Sequence, residues 1–292
     1  MPDTQQIFEF RGVDKFYFAE VIKDDSTGYQ CGTPVHIPVQ EVGKTTDSSS
    51  EAHYYDNKAM IVVNSESADT ITLTLAPPAL DKLAAMIGKS FDASTGMLVD
   101  SPRQNKYYAI MYRTKGTDGG YRYVSRLKGQ FNIPEETYVT EDDGTDTNNT
   151  QIEFTGIYTE HEFAKGIYDG ASWQAAGVKG IVVDARYGLA NVSAFFDQVQ
   201  TPDTISVAPA VSGIGVSPAT LAIDENEEAQ LTATLYPAGA TGAITWEVTS
   251  GATYASVTSG GLVKGLAEGS ATVTATCGTY SDTCSVTVSA GA

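Results

Sequence analysis

The chain has 292 residues, 41% of them hydrophobic, and a formal net charge of −18. That hydrophobic content excludes a disordered chain, the length allows two domains, and no apolar run is long enough to cross a bilayer. The charge excludes tight wrapping of nucleic acid, because 17 basic residues face 29 acidic ones before residue 205 and 1 faces 7 after it.

Residues 1–6 hold neither a basic stretch nor an apolar core, so no secretory leader is expected there: the chain reads as made in a cytoplasm, or as lacking a leader that preceded it. Residues 16–21, with Phe16, Tyr17 and Phe18, read as an aromatic-rich strand that ends in a turn cluster at 24–28. Pro34 and Pro38 mark a loop or edge strand around Cys31 and His36. Residues 45–51 are polar and serine-rich and read as a surface loop, either solvated or ordering against a neighbouring subunit.

From residue 54 to 98 the pattern is a short strand, a Thr/Leu strand, one helix and a small loop. Side chains alternate faces along a strand, so Ile71, Leu73 and Leu75 line one side and Thr70, Thr72 and Thr74 the other. Pro77 and Pro78 end that strand. Leu80, Leu83, Ala84 and Ile87 fall at i, i+3, i+4 and i+7 of a helix, and Gly88 suits its left-handed end.

Residues 107–113 and 121–127 flank 115–120 as a hairpin with a long loop. Arg122, Val124, Arg126 and Lys128 alternate onto one strand face, either an exposed polar face or a basic surface that meets an acidic neighbour. Residues 141–150 are acidic with no apolar anchor. Their Asp142, Asp143 and Asp146 do not make an EF-hand, because the glycine comes too early and no Glu closes the loop. Further strands are expected at 151–158, 180–184 and 189–195.

Pro202 and Pro209 place a linker at 205–212, between a domain at 1–204 and one at 213–292. In the second part Leu231, Ala233 and Leu235 alternate, as do Ile244, Trp246 and Val248, then Val273, Ala275 and Cys277, then Cys284, Val286 and Val288. Short strands at this spacing predict a small β-sandwich, with Trp246 in its core.

No residues converge on chemistry. His36, His53 and His161 lack a nucleophile in a strained turn. Glu160, His161 and Glu162 are consecutive, and adjacent strand residues point to opposite faces, so they do not form a metal site. No catalytic, metal or cofactor site is expected. Cys277 and Cys284 flank residues 278–283 and are placed to face each other across a hairpin, a disulfide that a reducing compartment opposes.

Two resemblances bear on function. The ordered series Tyr55-Asp56-Asn57-Lys58-Ala59, Ile71-Thr72-Leu73-Thr74-Leu75, the helix from Leu80 to Gly88 with Phe91-Asp92, and Gly96-Met97-Leu98 resembles the major tail tube proteins of long, non-contractile-tailed phages of Gram-positive bacteria. It continues in Tyr121-Arg122-Tyr123-Val124, Leu127-Lys128-Gly129-Gln130-Phe131 and Ile152-Glu153-Phe154, over roughly residues 7 to 200. Ile214-Gly215-Val216-Ser217-Pro218, Ile244-Thr245-Trp246 and Gly261-Leu262-Val263-Lys264-Gly265 resemble the group 2 bacterial immunoglobulin-like domain.

The resemblances imply a mainly β protein: an antiparallel β-sandwich or partial barrel with one packed α-helix, followed by an immunoglobulin-like β-sandwich. They imply a virion protein with no enzymatic role, whose hexameric rings stack into the tail tube. Its partners would be other copies and the terminator, distal tail and tape measure proteins, with no membrane. Viral DNA would pass through the lumen without specific binding, past an acidic wall that like charge keeps from sticking. The second domain would face outward and touch host glycans weakly or only decorate the shaft. Candidate assembly residues are Thr45, Asp47, Ser48, Ser49, Ser50, Glu51, Tyr54 and Tyr55, with Arg122, Arg126 and Lys128 as a stripe between subunits. The rival reading is a bacterial surface adhesin or glycan-binding protein, and a third is a carbohydrate-active enzyme with paired carboxylates.

Overall fold

The alternation at Ile71, Leu73 and Leu75 ends an eighteen-residue strand in the computed structural model, and all three side chains are fully buried. The structure describes residues 8–134 and 149–290. The acidic motif at Asp142, Asp143 and Asp146 lies outside the described residues. The chain divides into two units, one of Met1–Tyr187 with Ala194–Ile205 and one of Gly188–Ser193 with Ser206–Ala292.

The first unit contains β1 (Phe10–Asp25), β2 (Gly28–Cys31), β3 (Val35–Ile37), β4 (Val39–Tyr55), β5 (Lys58–Leu75), α1 (Leu80–Ile87), β6 (Ser90–Asp92), β7 (Met97–Val99), β8 (Tyr108–Gly116) and β9 (Tyr121–Phe131). It continues with β10 (Thr150–Gly156), β11 (Phe163–Tyr168), β12 (Trp173–Ala176) and β13 (Gly180–Asp184). Nine of these strands form one antiparallel sheet in the order β2-β1-β8-β9-β10-β5-β4, with β3 added on β1 and β13 on β9. β9 is central because both its edges are used: β8 lies on one, and β13 then β10 share the other.

The core gathers alternate residues from these strands: Phe16, Phe18, Ile71, Leu73, Ile110, Phe131, Ile152 and Phe154 are all buried in one cluster. α1 packs Met86 and Ile87 against it, and Tyr108 Oη donates to the Ala85 carbonyl. Gly88 closes the helix at φ 69°, a left-handed conformation that costs a side-chain-bearing residue more. Leu80, placed on the apolar stripe by its spacing, is half exposed instead, and Met86 takes the buried position.

Two expected elements differ. The loop of the β8–β9 hairpin is only four residues, 117–120, because β8 runs on to Gly116 and β9 begins at Tyr121. Residues 189–195 do not form a strand. The Asn191 side chain accepts from the Ser193 N–H and hydroxyl at 3.1 and 2.7 Å, a local turn that competes with a ladder, and only Ala190 bridges, to Val207.

The second unit contains β14 (Gly213–Ser217), β15 (Thr220–Asp224), β16 (Glu228–Gln230), β17 (Thr232–Tyr236), β18 (Thr245–Ser250), β19 (Ala255–Val257), β20 (Leu262–Gly265), β21 (Gly269–Cys277) and β22 (Tyr280–Ser289). Its main sheet runs β15-β22-β21-β18, with β15 parallel to β22, beside β16-β20-β19 and the pair β14-β17. Val263, Val273, Ala275, Cys284, Val286 and Val288 fill the space between, with Trp246 packed against them. Gly261, at φ 82°, lets the chain pass the Trp246 ring, where an added Cβ would sit 2.9 Å from it. Cys277 pairs with Tyr280 and Cys284 with Val273 across the two-residue turn at Gly278 and Thr279, so the cysteines are offset along the hairpin and both thiols are free. The register is set by a turn tighter than the 278–283 spacing implied.

Candidate assembly interface

β4 and β5 are far longer than the sheet they belong to. β10 covers β5 only from Asp69 to Leu75, so beyond Asp69 the hairpin continues as a two-stranded arm. Asp56 and Asn57 turn it at φ 50° and 60°, the left-handed pair that a two-residue hairpin loop demands and that Asp and Asn tolerate. Both outer edges of the arm lack a ladder partner among the described residues.

The candidate residues Thr45, Asp47, Ser48, Ser49, Ser50 and Glu51 belong to β4 rather than to a loop. Their pairing is polar: Ser49 Oγ meets Ser65 Oγ at 2.6 Å, Thr45 Oγ1 donates to Thr70 O at 3.5 Å, and Ser67 Oγ donates to Asp47 O at 2.9 Å. Ladder and hydroxyl bonds order this segment without the apolar burial that its composition lacks. Tyr54 and Tyr55 stand at the tip, 69% and 54% exposed. The partner strand adds Met60, Ile61, Val62 and Val63, each at least half exposed. These four apolar residues were missed by the sequence reading, although an unbroken run from Ala59 to Val63 was its signal.

The arm is anchored at its root by a buried ionic cluster. Asp69, 1% exposed, meets Lys44 at 3.3 Å, Lys179 at 3.3 Å and Arg126 at 3.5 Å, and accepts from Thr46 Oγ1 at 2.8 Å. Burial pushes the Asp69 carboxyl up, but Thr46 and the surrounding cations outweigh it and hold it below the usual range. Lys179 Nζ also reaches Glu66 at 2.7 Å and the Ser67 carbonyl, and lies 4.9 Å from the Tyr158 ring centroid. The β4–β5 register slips at the same place, between Thr46 and Ser48. Slips of this kind re-aim a strand.

The basic stripe does not present a free surface. Arg122 pairs with Asp184 at 3.0 Å and Arg126 with Asp69. Lys128 is buried, 2.7 Å from Asp24 and 3.0 Å from Glu160. It also leaves the stripe's face, because the β8–β9 ladder steps from Ile110↔Arg126 to Tyr108↔Gly129 and sets Leu127 and Lys128 opposite Ala109 alone. Lys128 Nζ accordingly lies over the Tyr107 ring at 4.8 Å, while Arg126 stays with Asp69.

The histidines are dispersed. His36 packs its ring 4.9 Å from that of Tyr17, His53 is exposed on the arm, and the His161 N–H donates to Asp24 Oδ1 at 2.8 Å. Burial pushes the Cys31 thiol up to about 11. Among the described residues no cluster of three or more His, Cys, Asp or Glu is placed to hold a metal.

Residues 210–288 match the bacterial Ig-like domain (group 2) family. No curated protein matches the chain. Among solved structures the chain is similar to surface layer protein SbsC, domains 1-6, at 12% identity with a TM-score of 0.27. That comparison covers 99% of this chain, which spans about half (55%) of the other.

Proposed function

We propose that this chain is a structural subunit of a tail tube, in which rings of six copies stack into a conduit for DNA and the Ig-like domain faces outward. The arm is the observation that carries the reading. Its two open edges and exposed Tyr54, Tyr55 and Met60 to Val63 offer a surface for other copies to cover, because unpaired strand edges and contiguous apolar patches promote association. Copies joined edge to edge pair the open edges, and copies packed against its faces cover the apolar side chains. The net charge of −18 fits a wall that DNA passes without binding.

Negative-stain electron microscopy of the full chain beside an Ile61→Asp/Val63→Asp variant tests this. Rings or tubes from the parent and single particles from the variant support the tube. Single particles from both, at every concentration, overturn it.

The Ig-like match favours one other reading, a bacterial surface adhesin. It predicts binding on a glycan array by the unassembled chain, which the tube reading does not require.

A further inference from the structure

Beyond Asp69 the arm has no third strand on either edge among the described residues. A two-stranded ribbon alone is only marginally ordered, so the direction in which it leaves the sheet depends on what holds its root. The joint is a bulge. Thr46 pairs with Asp69 and Ser48 with Glu66, which leaves Asp47 alone opposite Ser67 and Ala68. One extra residue on one strand interrupts the ladder and bends it. The bend therefore needs a brace from outside the hairpin.

We infer that Lys179 is the positioning residue of the arm: its ammonium group spans the bulge and fixes the angle at which the hairpin leaves the sheet. On the sheet side Nζ meets Asp69 Oδ1 at 3.3 Å. On the arm side it meets Glu66 Oε1 at 2.7 Å and the Ser67 carbonyl. An ammonium has three N–H donors, so these three acceptors use it fully. The base of the side chain is fixed as well. The Val178 N–H donates to Thr159 Oγ1 at 3.0 Å, the Leu127 N–H donates to the Lys179 carbonyl at 2.9 Å, and Gly180 pairs with Arg126. Lys179 thus ties both sides of the bulge to the central strand β9.

The rest of the ionic cluster stays on one side of the joint. Lys44 bonds to Thr46 and Asp69, and Arg126 to Asp69, all on the sheet side. Ser67 Oγ donates to the Asp47 carbonyl within the bulge itself. Among the described residues Lys179 is the one side chain from outside the hairpin that hydrogen-bonds to the arm beyond Asp69. For the assembly reading above, this pre-organises the arm, because a segment already held in place loses less freedom on meeting a neighbour. The inference itself concerns the single chain and does not depend on what the arm meets.

Double electron–electron resonance on dilute, unassembled full-length chains tests this. Nitroxides are carried on p-acetylphenylalanine at Tyr55 on the tip and at Ala93 in the β6–β7 turn, both exposed, so the native thiols stay unlabelled. The parent is expected to give one narrow distance distribution. Lys179→Met is expected to widen it about twofold or more, because the unbraced ribbon is free to pivot at its bulge. Lys44→Met removes a cation of the same cluster on the sheet side and is expected to leave the width unchanged. Equal widths for the parent and Lys179→Met overturn the assignment, and so does equal widening by the two lysine variants. Glu66→Ala alters a half-exposed side chain, so it decides the matter should Lys179→Met fail to fold. It is expected to widen the distribution in the same sense, and an unchanged width overturns the proposal. Single chains are measured throughout, so failure of the tube reading leaves this result standing.

Discussion

Lys179 meets Asp69 across 110 positions of sequence, Nζ to Oδ1 at 3.3 Å, with both side chains shut off from solvent. A buried ion pair gives little net stability, but removing one partner strands the other. Asp69→Ala leaves Lys179, Arg126 and Lys44 without their shared anion and is expected to cost about 3–5 kcal/mol. Lys179→Met leaves Asp69 with two cations and is expected to cost less. Urea unfolding of the two variants checks the order, and a Lys179→Met penalty equal to or above that of Asp69→Ala refutes it.

The arm is expected to be separable from the fold. Ile61→Asp changes an exposed side chain, so its effect on monomer stability should lie within about 0.5 kcal/mol. Thermal unfolding and sedimentation together check this: an unchanged melting temperature should accompany lost assembly.

Acid should destabilise the first unit within a defined window. Asp92 is held down to about 2 by Thr95 and Ser94, and Asp169 to about 2 by the N–H groups of Ser172 and Ala171. For Asp24, Asp69 and Asp184 burial pushes upward, but their hydrogen bonds and cations bring the folded value below 3.8. Folded values below unfolded ones mean stability that is present above 3.8 and lost as pH falls through the folded values toward 2. Melting temperature against pH should be level from neutral to about 5 and then fall. A constant value down to pH 2 contradicts this linkage.

Alkali should act in the opposite sense. Burial lowers Lys128 and Lys179, but their carboxylate partners more than compensate and raise both above 10.5. Their contribution is complete below 10.5 and lost as pH rises through the folded values. Lys128→Met should flatten the alkaline fall in melting temperature and leave the acid fall caused by Asp92 and Asp169 in place.

Cys31 and Cys284 should be slow toward iodoacetamide at neutral pH. Burial raises the Cys31 and Cys284 thiols, and the thiolate is the reactive form. Mass spectrometry should find three modified cysteines after denaturation without reductant, and two fewer if Cys277 and Cys284 were bridged.

Legibility followed the range of the interactions. The strand at Ile71, Leu73 and Leu75 and the helix ending at Gly88 were readable because their periodicity is local. β4 was not, since Ser48, Ser49 and Ser50 carry no alternation and are ordered by hydroxyls and a partner strand. Lys128 was assigned to the wrong face because its bulge exists only against β8. The Asp69 cluster joins residues from four distant segments, and no spacing announces it. Trp173 was also overlooked. It is half exposed on β12, with its ring 5.1 Å from that of Tyr168.

The chain enters its second unit at Gly188–Ser193, returns for Ala194–Ile205, and leaves again at Ser206. Ala190 bridges Val207, and Thr241 Oγ1 donates to Gly188 O at 2.6 Å, so the early visit is stitched into the Ig-like unit. The module therefore has no single seam. A cut after Ile205 leaves a six-residue stub without its partners, and the family-matched segment 210–288 expressed alone lacks that stub. Exchange of this module between genes as a cassette would have to carry two separated pieces of coding sequence, or redesign the joint.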